Sequence, residues 1–311
     1  MELRHLRYFK AAAEEEHFGR AAERLHVTRP AVSQLIADLE SELGTALFER
    51  LAHRVKLTEA GKALLPRLNA LMSDLHDALT MTKRVGEGKS GALTIGYGSL
   101  TLFHTLFRGA IKRFREEFPD VILSLIDQVT IDQYKLLEDG KIHAGFMHFG
   151  PDTVFLRKRR STPVINGQDR TALDWVPIQT GTVGVVMLRD HPLASKESVE
   201  LAELANERFV VVPRGLSSPG HGAILEFCRE AGFEPRIVQE VSTTVSQMNL
   251  ISVGMGIGLS IIGKNFIYPP ELTVLPLSDM DYPTTFVFAW LKGERTPALN
   301  HMIEIVQSLA A

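Results

Sequence analysis

Residues 3 to 58 show the pattern of short helices joined by tight turns. Apolar side chains recur at helical spacing in three runs, and strand-like alternation is absent before residue 51. Only Val27 and Thr28 separate the second run from the third. Thr28 is suited to cap the third helix, and Pro30 is tolerated in a first helical turn. The pattern predicts three helices, with a short, capped turn between the last two.

A regular repeat of apolar residues follows between residues 59 and 85. Its members are spaced alternately by four and three residues, as in a heptad seam: Leu64, Leu68, Leu71, Leu75, Ala78 and Thr82. Thr58 can cap this helix, which is too long to bury its seam alone. We expect a linker helix that dimerises through Leu64, Leu68, Leu71 and Leu75. The alternative is a core helix of the N-terminal domain. Small residues between 86 and 91 would end the helix as a hinge.

Beyond residue 91 the pattern changes to short apolar strands that alternate with helices. The predicted strands span residues 92–98, 121–127, 142–147, 183–188, 209–212, 236–240, 258–262 and 284–291. The predicted helices span residues 103–117, 131–139, 219–231, 243–253 and 297–309. Such alternation is typical of an α/β domain with a parallel sheet. We expect two lobes, lobe I at about 91–161 and 268–311 and lobe II at about 162–267.

The run RAAERLHVTRPAVSQL, residues 20 to 35, has the spacing of a helix-turn-helix. Small Ala22 stands where two helices would cross, His26 lies at the turn, and Val32 and Leu35 would fix the second helix. Glycine is the commonest residue at such a turn, so His26 is a departure. The second helix would present an outward face able to bind base edges and phosphates: Arg29, Pro30, Ser33 and Gln34. The alternative is an ordinary helical hairpin with a polar face.

A small hairpin is predicted after the third helix. Val55 and Leu57 alternate with Arg54 and Lys56, and Arg54 at the tip would enter a minor groove or hold phosphate. The alternative is a solvated basic loop. The net charge of −3 argues against a chain that binds polyanions along its whole length. Two local basic clusters nevertheless occur, near residues 20–29 and 50–56.

The segment HLRYFKAAAEEEHFGRAAERLHVTRPAVSQLIADLESELGTALFERLAHRVKLTEAGKALL resembles the N-terminal domain of LysR-type transcriptional regulators. Length and domain order also agree with that family. The resemblance implies a winged helix-turn-helix, a linker helix, a two-lobed effector domain similar to periplasmic binding proteins, and a tetramer built as a dimer of dimers. The domains would be residues 1–58, 59–90 and 91–311. The resemblance also implies that Arg29, Pro30, Ser33 and Gln34 lie on the DNA-recognition helix and Arg54 on the wing. With Thr28 at the start of that helix, these are the expected DNA-binding residues.

Hydroxyl side chains follow several predicted strands of the C-terminal part. Ser99 and Thr101 follow the first strand, Thr130 the second, and residues 217–218 and 242–244 later ones. Helix N-termini carry free N–H groups and partial positive charge, so several around one cleft would hold a carboxylate. Taken singly, each hydroxyl is an ordinary helix cap. The family's ligand site lies in the same places, which supports Ser99, Thr101 and Thr130.

The expected effector-binding residues are Ser99, Leu100, Thr101, Thr130, Phe146, His148, Ser218 and Thr243. Phe146 and His148 end the third predicted strand, where they would line the cleft. The alternatives are a core phenylalanine and a surface histidine. The run Arg157 to Arg160 is interpreted as a solvated strand edge, or as a contact with ligand, DNA or a neighbouring subunit.

The sequence carries few signs of catalysis. It has no recognisable catalytic triad, no metal-ligand spacing, and a single cysteine, Cys228, expected to be a packed thiol. The glycines of residues 254–258 follow a predicted helix and precede a strand, the reverse of a dinucleotide-binding motif. No apolar run is long enough for a membrane helix and the start lacks a signal-peptide pattern, so we expect a cytoplasmic chain.

These observations favour a ligand-responsive regulator that binds double-stranded DNA and a small carboxylate effector, with no catalysis, cofactor, metal or membrane partner. The alternative is a cytoplasmic α/β enzyme or solute-binding module with a helical appendage.

Overall fold

The computed structural model of the 311-residue chain describes residues 1–50, 55–150, 173–213 and 221–311. It divides into two compact units, Met1–Lys83 and Arg84–Ala311. Of the helices that it describes, none combines the length and hydropathy needed to cross a membrane. The N-terminal unit contains α1 (Leu3–Glu15), α2 (Phe18–Leu25), α3 (Arg29–Leu43), the antiparallel hairpin of β1 (Phe48–Arg50) and β2 (Val55–Leu57), and most of α4 (Glu59–Gly86). The three predicted helices and the hairpin are confirmed.

One apolar core holds the N-terminal unit together. The ring of Phe48 on β1 meets Phe9 of α1 at 5.5 Å and Phe18 of α2 at 5.4 Å, so the hairpin is attached to the helices. Leu68 of α4 is 2% exposed in this core, and Leu64 is half-buried against it. Leu64 and Leu68 therefore belong to the core of their own unit rather than to a free seam. The i, i+4 spacing turns this face of α4 towards the core.

The C-terminal unit alternates strands with helices. Its strands are β3 (Gly91–Tyr97), β4 (Val121–Asp127), β5 (Ala144–Phe149), β6 (Leu173–Leu188), β7 (Arg208–Val211), β8 (Arg236–Glu240), β9 (Gly258–Ile262), β10 (Leu272–Pro276) and β11 (Thr284–Leu291). Its helices are α5 (Thr105–Glu117), α6 (Thr130–Glu138), α7 (His221–Glu230), α8 (Thr244–Ser252) and α9 (Pro297–Ala310). Short 3-10 segments lie at Ser99–Phe103, Pro192–Ser195 and Leu201–Leu204.

Within the described residues the main sheet is mixed, in the order β10-β6-β11-β5-β3-β4, and β9 also pairs with β6. Strand β3 runs parallel to β4 and β5, whereas β11, β10 and β9 pair antiparallel with their neighbours. The expected parallel pairing is therefore confirmed for β3, β4 and β5 and for the separate pair of β7 and β8, and it is wrong for β6, β9, β10 and β11. The reason is the sixteen-residue strand β6, whose described partners all run against it.

Separate apolar cores support two lobes. Rings of Phe114, Phe146 and Phe288 are fully buried in the core that α5 and α9 form on β3, β5 and β11. Phe209 of β7 and Leu259 of β9 belong to a second core. The expected fold class, an N-terminal winged helix-turn-helix followed by a two-lobed α/β domain, is confirmed.

The residues after α4 are fastened to the C-terminal unit. Gly88 has a φ of 68°, and a Cβ there would lie 2.5 Å from the carbonyl carbon of Pro297. The Nε2 atom of His301 on α9 lies 2.9 Å from the carbonyl oxygen of Glu87. Arg84 also forms an ion pair with Asp120. A hinge within residues 86–91 would have to break these contacts.

Candidate DNA-contacting surface and effector site

The turn between α2 and α3 depends on a left-handed residue. His26 has φ 56° and ψ 44°, and its N–H donates to the carbonyl of Glu23 at 3.1 Å. The N–H of Val27 closes the same turn by donating to Ala22 at 2.9 Å. Left-handed backbone favours glycine, which explains why histidine is a departure at this position.

The start of α3 differs in one detail from the prediction. Thr28 occupies the N-cap position, but its side chain makes no capping hydrogen bond. Its carbonyl oxygen accepts from the N–H groups of Ala31 at 3.1 Å and Val32 at 3.3 Å instead. Pro30 lies in the first turn, as predicted. The prediction that the Thr28 hydroxyl caps the helix is therefore wrong. The fixed φ of Pro30 fits the first turn of the helix.

The outward face of α3 carries the predicted DNA-contacting residues. Val32, Ile36 and Leu39 are buried at i, i+4 and i+7, so the opposite face meets solvent. Arg29, Pro30 and Gln34 are exposed, and Ser33 is half-buried. The amide Nε2 of Gln34 donates to Asp38 Oδ1 at 2.8 Å, which orients the side chain along the helix.

Ion pairs neutralise part of the positive charge of the basic cluster near residues 20–29. Arg24 lies 2.7 Å from Glu14 and 3.4 Å from Glu15, and Arg20 lies 3.5 Å from Glu15. The hydrogen bond with Glu14 is the largest cause of the raised pKa of Arg24. These two arginines are thus engaged by α1, whereas Arg29 lies exposed on α3. Arg54 lies outside the described residues.

One hydrogen bond joins the segment after β3 to the start of α8. The Oγ of Ser99, in the 3-10 segment after β3, accepts from the N–H of Thr244 in the first turn of α8 at 3.1 Å. Thr243 caps α8 by accepting from the N–H of Ser246 at 3.1 Å. Leu100 and Thr101 are buried beside Ser99 in the chain. The Oγ1 atom of Thr101 has no hydrogen-bond partner in the described parts of the chain.

Thr130 and His148 meet at the carboxyl ends of the parallel strands. Tyr97 pairs with Asp127 and with Phe146, so β3, β4 and β5 end close together. The N–H of His148 donates to Thr130 Oγ1 at 3.2 Å. This is the edge of an α/β sheet at which ligands commonly bind.

Two of the predicted cleft residues have other environments. Phe146 is fully buried, with ring centroids 4.6 Å from Phe288 and 5.0 Å from Phe107. It is a core residue because its side of β5 faces α5, so its place in the cleft is wrong. His148 is 7% exposed and is therefore not a surface histidine. Ser218 and the residues 157–160 lie outside the described residues.

A buried polar cluster beside His148 was missed by the sequence analysis. His148, Phe286 and Gln179 lie side by side on β5, β11 and β6, and the His148 ring stacks on Phe286 at 4.7 Å. His104 Nε2 lies 3.0 Å from Gln179 Oε1. Burial, followed by the neighbouring His104, lowers the pKa of His148 to about 3. Burial also lowers the pKa of His104. Gln179 gave no sequence signal, because it lies in the part of β6 that was not predicted.

Two features set aside as non-functional have the expected environments. Gly254 has a φ of 81° and lies just after α8, and Gly258 begins β9, which confirms the order of helix, glycines and strand. Cys228 is buried in α7, and burial raises the pKa of its thiol to about 11. A thiol with a raised pKa is a poor nucleophile at neutral pH.

The winged helix-turn-helix and the two-lobed α/β domain define the class of the protein: a DNA-binding regulator with a ligand-binding domain. The chain belongs to the LysR family. Residues 3–62 match the family described as bacterial regulatory helix-turn-helix protein, lysR family, and residues 86–311 match the LysR substrate binding domain.

Full-length relatives agree with this assignment. The chain is 30% identical to the transcriptional regulator AlsR of Bacillus subtilis (strain 168) over 306 residues, covering 98% of this chain and 95% of AlsR. It is 32% identical to the uncharacterized regulator YnfL of Escherichia coli (strain K12) over 311 residues, covering 99% of each. The crystal structure of CbnR, a LysR family regulator, shares the fold with a TM-score of 0.73, 24% identity, and coverage of 98% of this chain and 100% of CbnR. The protein is a LysR-type DNA-binding transcriptional regulator with a substrate-binding domain, not an enzyme.

Proposed function

We propose that this regulator responds to a small organic anion, such as a carboxylate, bound between the two lobes of its α/β domain. The hydrogen bond from the Thr244 N–H to Ser99 Oγ, 3.1 Å long, is the observation that carries the proposal. The N–H groups in the first turn of a helix attract oxygen atoms that bear negative charge. A carboxylate oxygen is a stronger acceptor than a hydroxyl oxygen. An anionic effector would therefore replace Ser99 Oγ as the acceptor of this N–H, and the Ser99 hydroxyl, released from Thr244, would donate to the same anion.

The same hydrogen bond suggests how binding is transmitted. Ser99 belongs to lobe I, and Thr244 belongs to lobe II in the proposed division of residues 91–311. An effector that replaces this contact changes the relative stability of the lobe arrangements, which shifts their populations. If DNA binding also favours one of these arrangements, the effector site and the DNA-binding surface are coupled. A single coupling free energy then describes how each ligand changes the affinity for the other.

The DNA contacts belong to residues 1–58 in this proposal. Arg29, Pro30, Ser33 and Gln34 face the DNA from α3, Thr28 stands at its start, and Arg54 extends from the wing. Residues 59–90 form the linker. Two chains pair through the part of the α4 seam beyond Leu68, with Leu71 and Leu75 at its centre, and two such dimers form a tetramer.

A thermal-shift and calorimetric screen of the purified full-length chain tests the effector class. Organic acids are expected to stabilise the protein, whereas amines and neutral sugars are not. The Ser99→Ala variant should bind the same acid about ten- to a hundredfold more weakly, because it loses one donor of about 1–3 kcal/mol. Ser195→Ala, at an exposed hydroxyl, is the matched control. Stabilisation by amines or sugars and not by acids would contradict the proposal.

A further inference from the structure

We propose that the effector carries a hydroxyl group besides its anionic group, and that His148 recognises this hydroxyl through its Nε2 atom. The inference rests on the proposed function, since it concerns the same effector. It makes His148 a specificity-determining residue that separates hydroxylated acids from their unsubstituted counterparts.

His148 Nε2 is a buried polar atom without a partner. His148 is only 7% exposed. Its Nε2 atom has no hydrogen bond within the part of the chain that the structure describes. Leaving such an atom unpaired is unfavourable, because it has lost its hydrogen bonds to water. An unpaired buried polar group next to a candidate ligand site is therefore well placed to bind a polar ligand atom.

The neighbouring polar side chains are already engaged with one another. His104 Nδ1 accepts from the N–H of Leu106 at 3.2 Å, so the neutral ring carries its proton on Nε2. That Nε2 faces Gln179 Oε1 at 3.0 Å, which occupies the amide oxygen. The ring of Phe286 lies between Gln179 and His148 in the strand order. These contacts explain why neither neighbour satisfies His148.

The position of His148 ties it to the predicted effector residues. Its backbone N–H donates to the hydroxyl of Thr130, so the two residues share the carboxyl edge of the sheet. The hydroxyl of Thr101, which is fully buried, also lacks a partner among the described residues. The polar groups available to a ligand around His148 are thus a neutral hydroxyl and a neutral imidazole. The helix N-terminus at Thr244 differs, because it carries a partial positive charge.

A hydroxyl is the ligand group that suits this environment. Burial keeps the His148 imidazole neutral at physiological pH, because its pKa lies near 3. A neutral imidazole nitrogen is either a donor or an acceptor, according to the tautomer. A hydroxyl can fill both roles, whereas a carboxylate only accepts and an ammonium only donates. A second charged group on the effector would lose its water on burial here, and the neutral His148 would offer no opposite charge to compensate.

Calorimetry with matched ligands tests the inference on the full-length protein. The panel is benzoate with its three monohydroxy isomers, butanoate with 3-hydroxybutanoate, and the neutral compounds phenol and glycerol. At least one hydroxylated acid is expected to bind ten times more tightly than its parent. His148→Phe keeps a ring to stack on Phe286 and should abolish the preference, so that the hydroxylated acid and its parent bind with affinities within about twofold of each other. His148→Gln restores a polar group and should recover part of the preference.

The outcomes separate the inference from the proposed function. Acids that bind equally well with and without a hydroxyl would overturn the inference and leave the anion site intact, with His148 contacting a buried water only. A hydroxyl preference that persists in His148→Phe would also overturn it. Binding of neutral hydroxyl compounds alone, lost in His148→Phe, would keep His148 as a hydroxyl-binding residue but refute the anionic effector, and with it the inference of a hydroxylated acid. Binding of no panel member would count against both. Even if a variant fails to fold, equal affinities of the wild-type protein for hydroxylated and parent acids would overturn the inference.

Discussion

Removal of one exposed leucine from the linker helix should weaken self-association without harming the fold. Leu71 is 54% exposed, whereas Leu68, three residues earlier on α4, is 2% exposed. Complete burial of a leucine side chain stabilises by about 1.5–3 kcal/mol. Covering the exposed 54% in a symmetric dimer therefore contributes about 0.8–1.6 kcal/mol per chain, or about 1.6–3.2 kcal/mol per dimer. Leu71→Ala should raise the dimer dissociation constant about 15- to 200-fold.

Sedimentation equilibrium of the full-length chain measures this change. Ser73→Ala is the matched control, because Ser73 is exposed and lies on the outer side of the heptad. Leu68→Ala should instead lower the free energy of unfolding by about 2–5 kcal/mol, since it opens a cavity in the N-terminal core. An unchanged dissociation constant for Leu71→Ala, or an equal change for Ser73→Ala, would refute the seam.

Three further changes test other parts of the molecule. Gln34→Ala should cost about 1–3 kcal/mol at a specific DNA site and leave binding to random DNA unchanged, and fluorescence anisotropy that finds equal losses would contradict this. Gly88→Ala combines a positive φ with a collision against Pro297, so it should lower the melting temperature, and an unchanged melting temperature would show that the joint is loose. Burial lowers the pKa of His148 from 6.5 to about 3, so below about pH 6.5 the unfolded chain binds a proton that the folded chain does not accept. Stability should therefore fall as pH drops from 6.5 towards 3, less steeply in His148→Phe, and identical pH profiles would contradict the burial of a neutral ring.

Local patterns were sufficient for most of the fold. The helices of the N-terminal unit follow from their apolar spacing, and the strands and helices that line lobe I lie within a few residues of their predicted bounds. The first ten residues of β6 were missed because half-buried positions and a proline interrupt the apolar run. Strand β10 was missed because it is short and ends at Pro276. The direction of each strand relative to its neighbours could not be predicted from local sequence patterns either, because it depends on pairing between strands that are far apart in the chain.

The candidate site could be predicted only in part. The hydroxyls of Ser99 and Thr130 could be proposed from the sequence because they follow predicted strands, where helices begin. Phe146 was misplaced because β5 continues to Phe149, so Phe146 lies inside the sheet beneath α5, although it shares a face of the strand with His148. His104 and Gln179 were missed because their pairing joins residues 75 positions apart in the chain. The split of the α4 leucines between core and surface likewise depends on what lies against the helix.

The conformation of bound DNA provides the most direct test of the whole account. Fluorescence energy transfer between dyes at the two ends of an operator fragment reports how far the bound regulator bends the DNA. Addition of an acid that the screen identifies should change the transfer efficiency at saturating protein, because effector binding and DNA geometry are coupled. Ser99→Ala should require a higher acid concentration for the same change. An acid that binds the α/β domain and alters neither the DNA bend nor the DNA affinity would contradict the account.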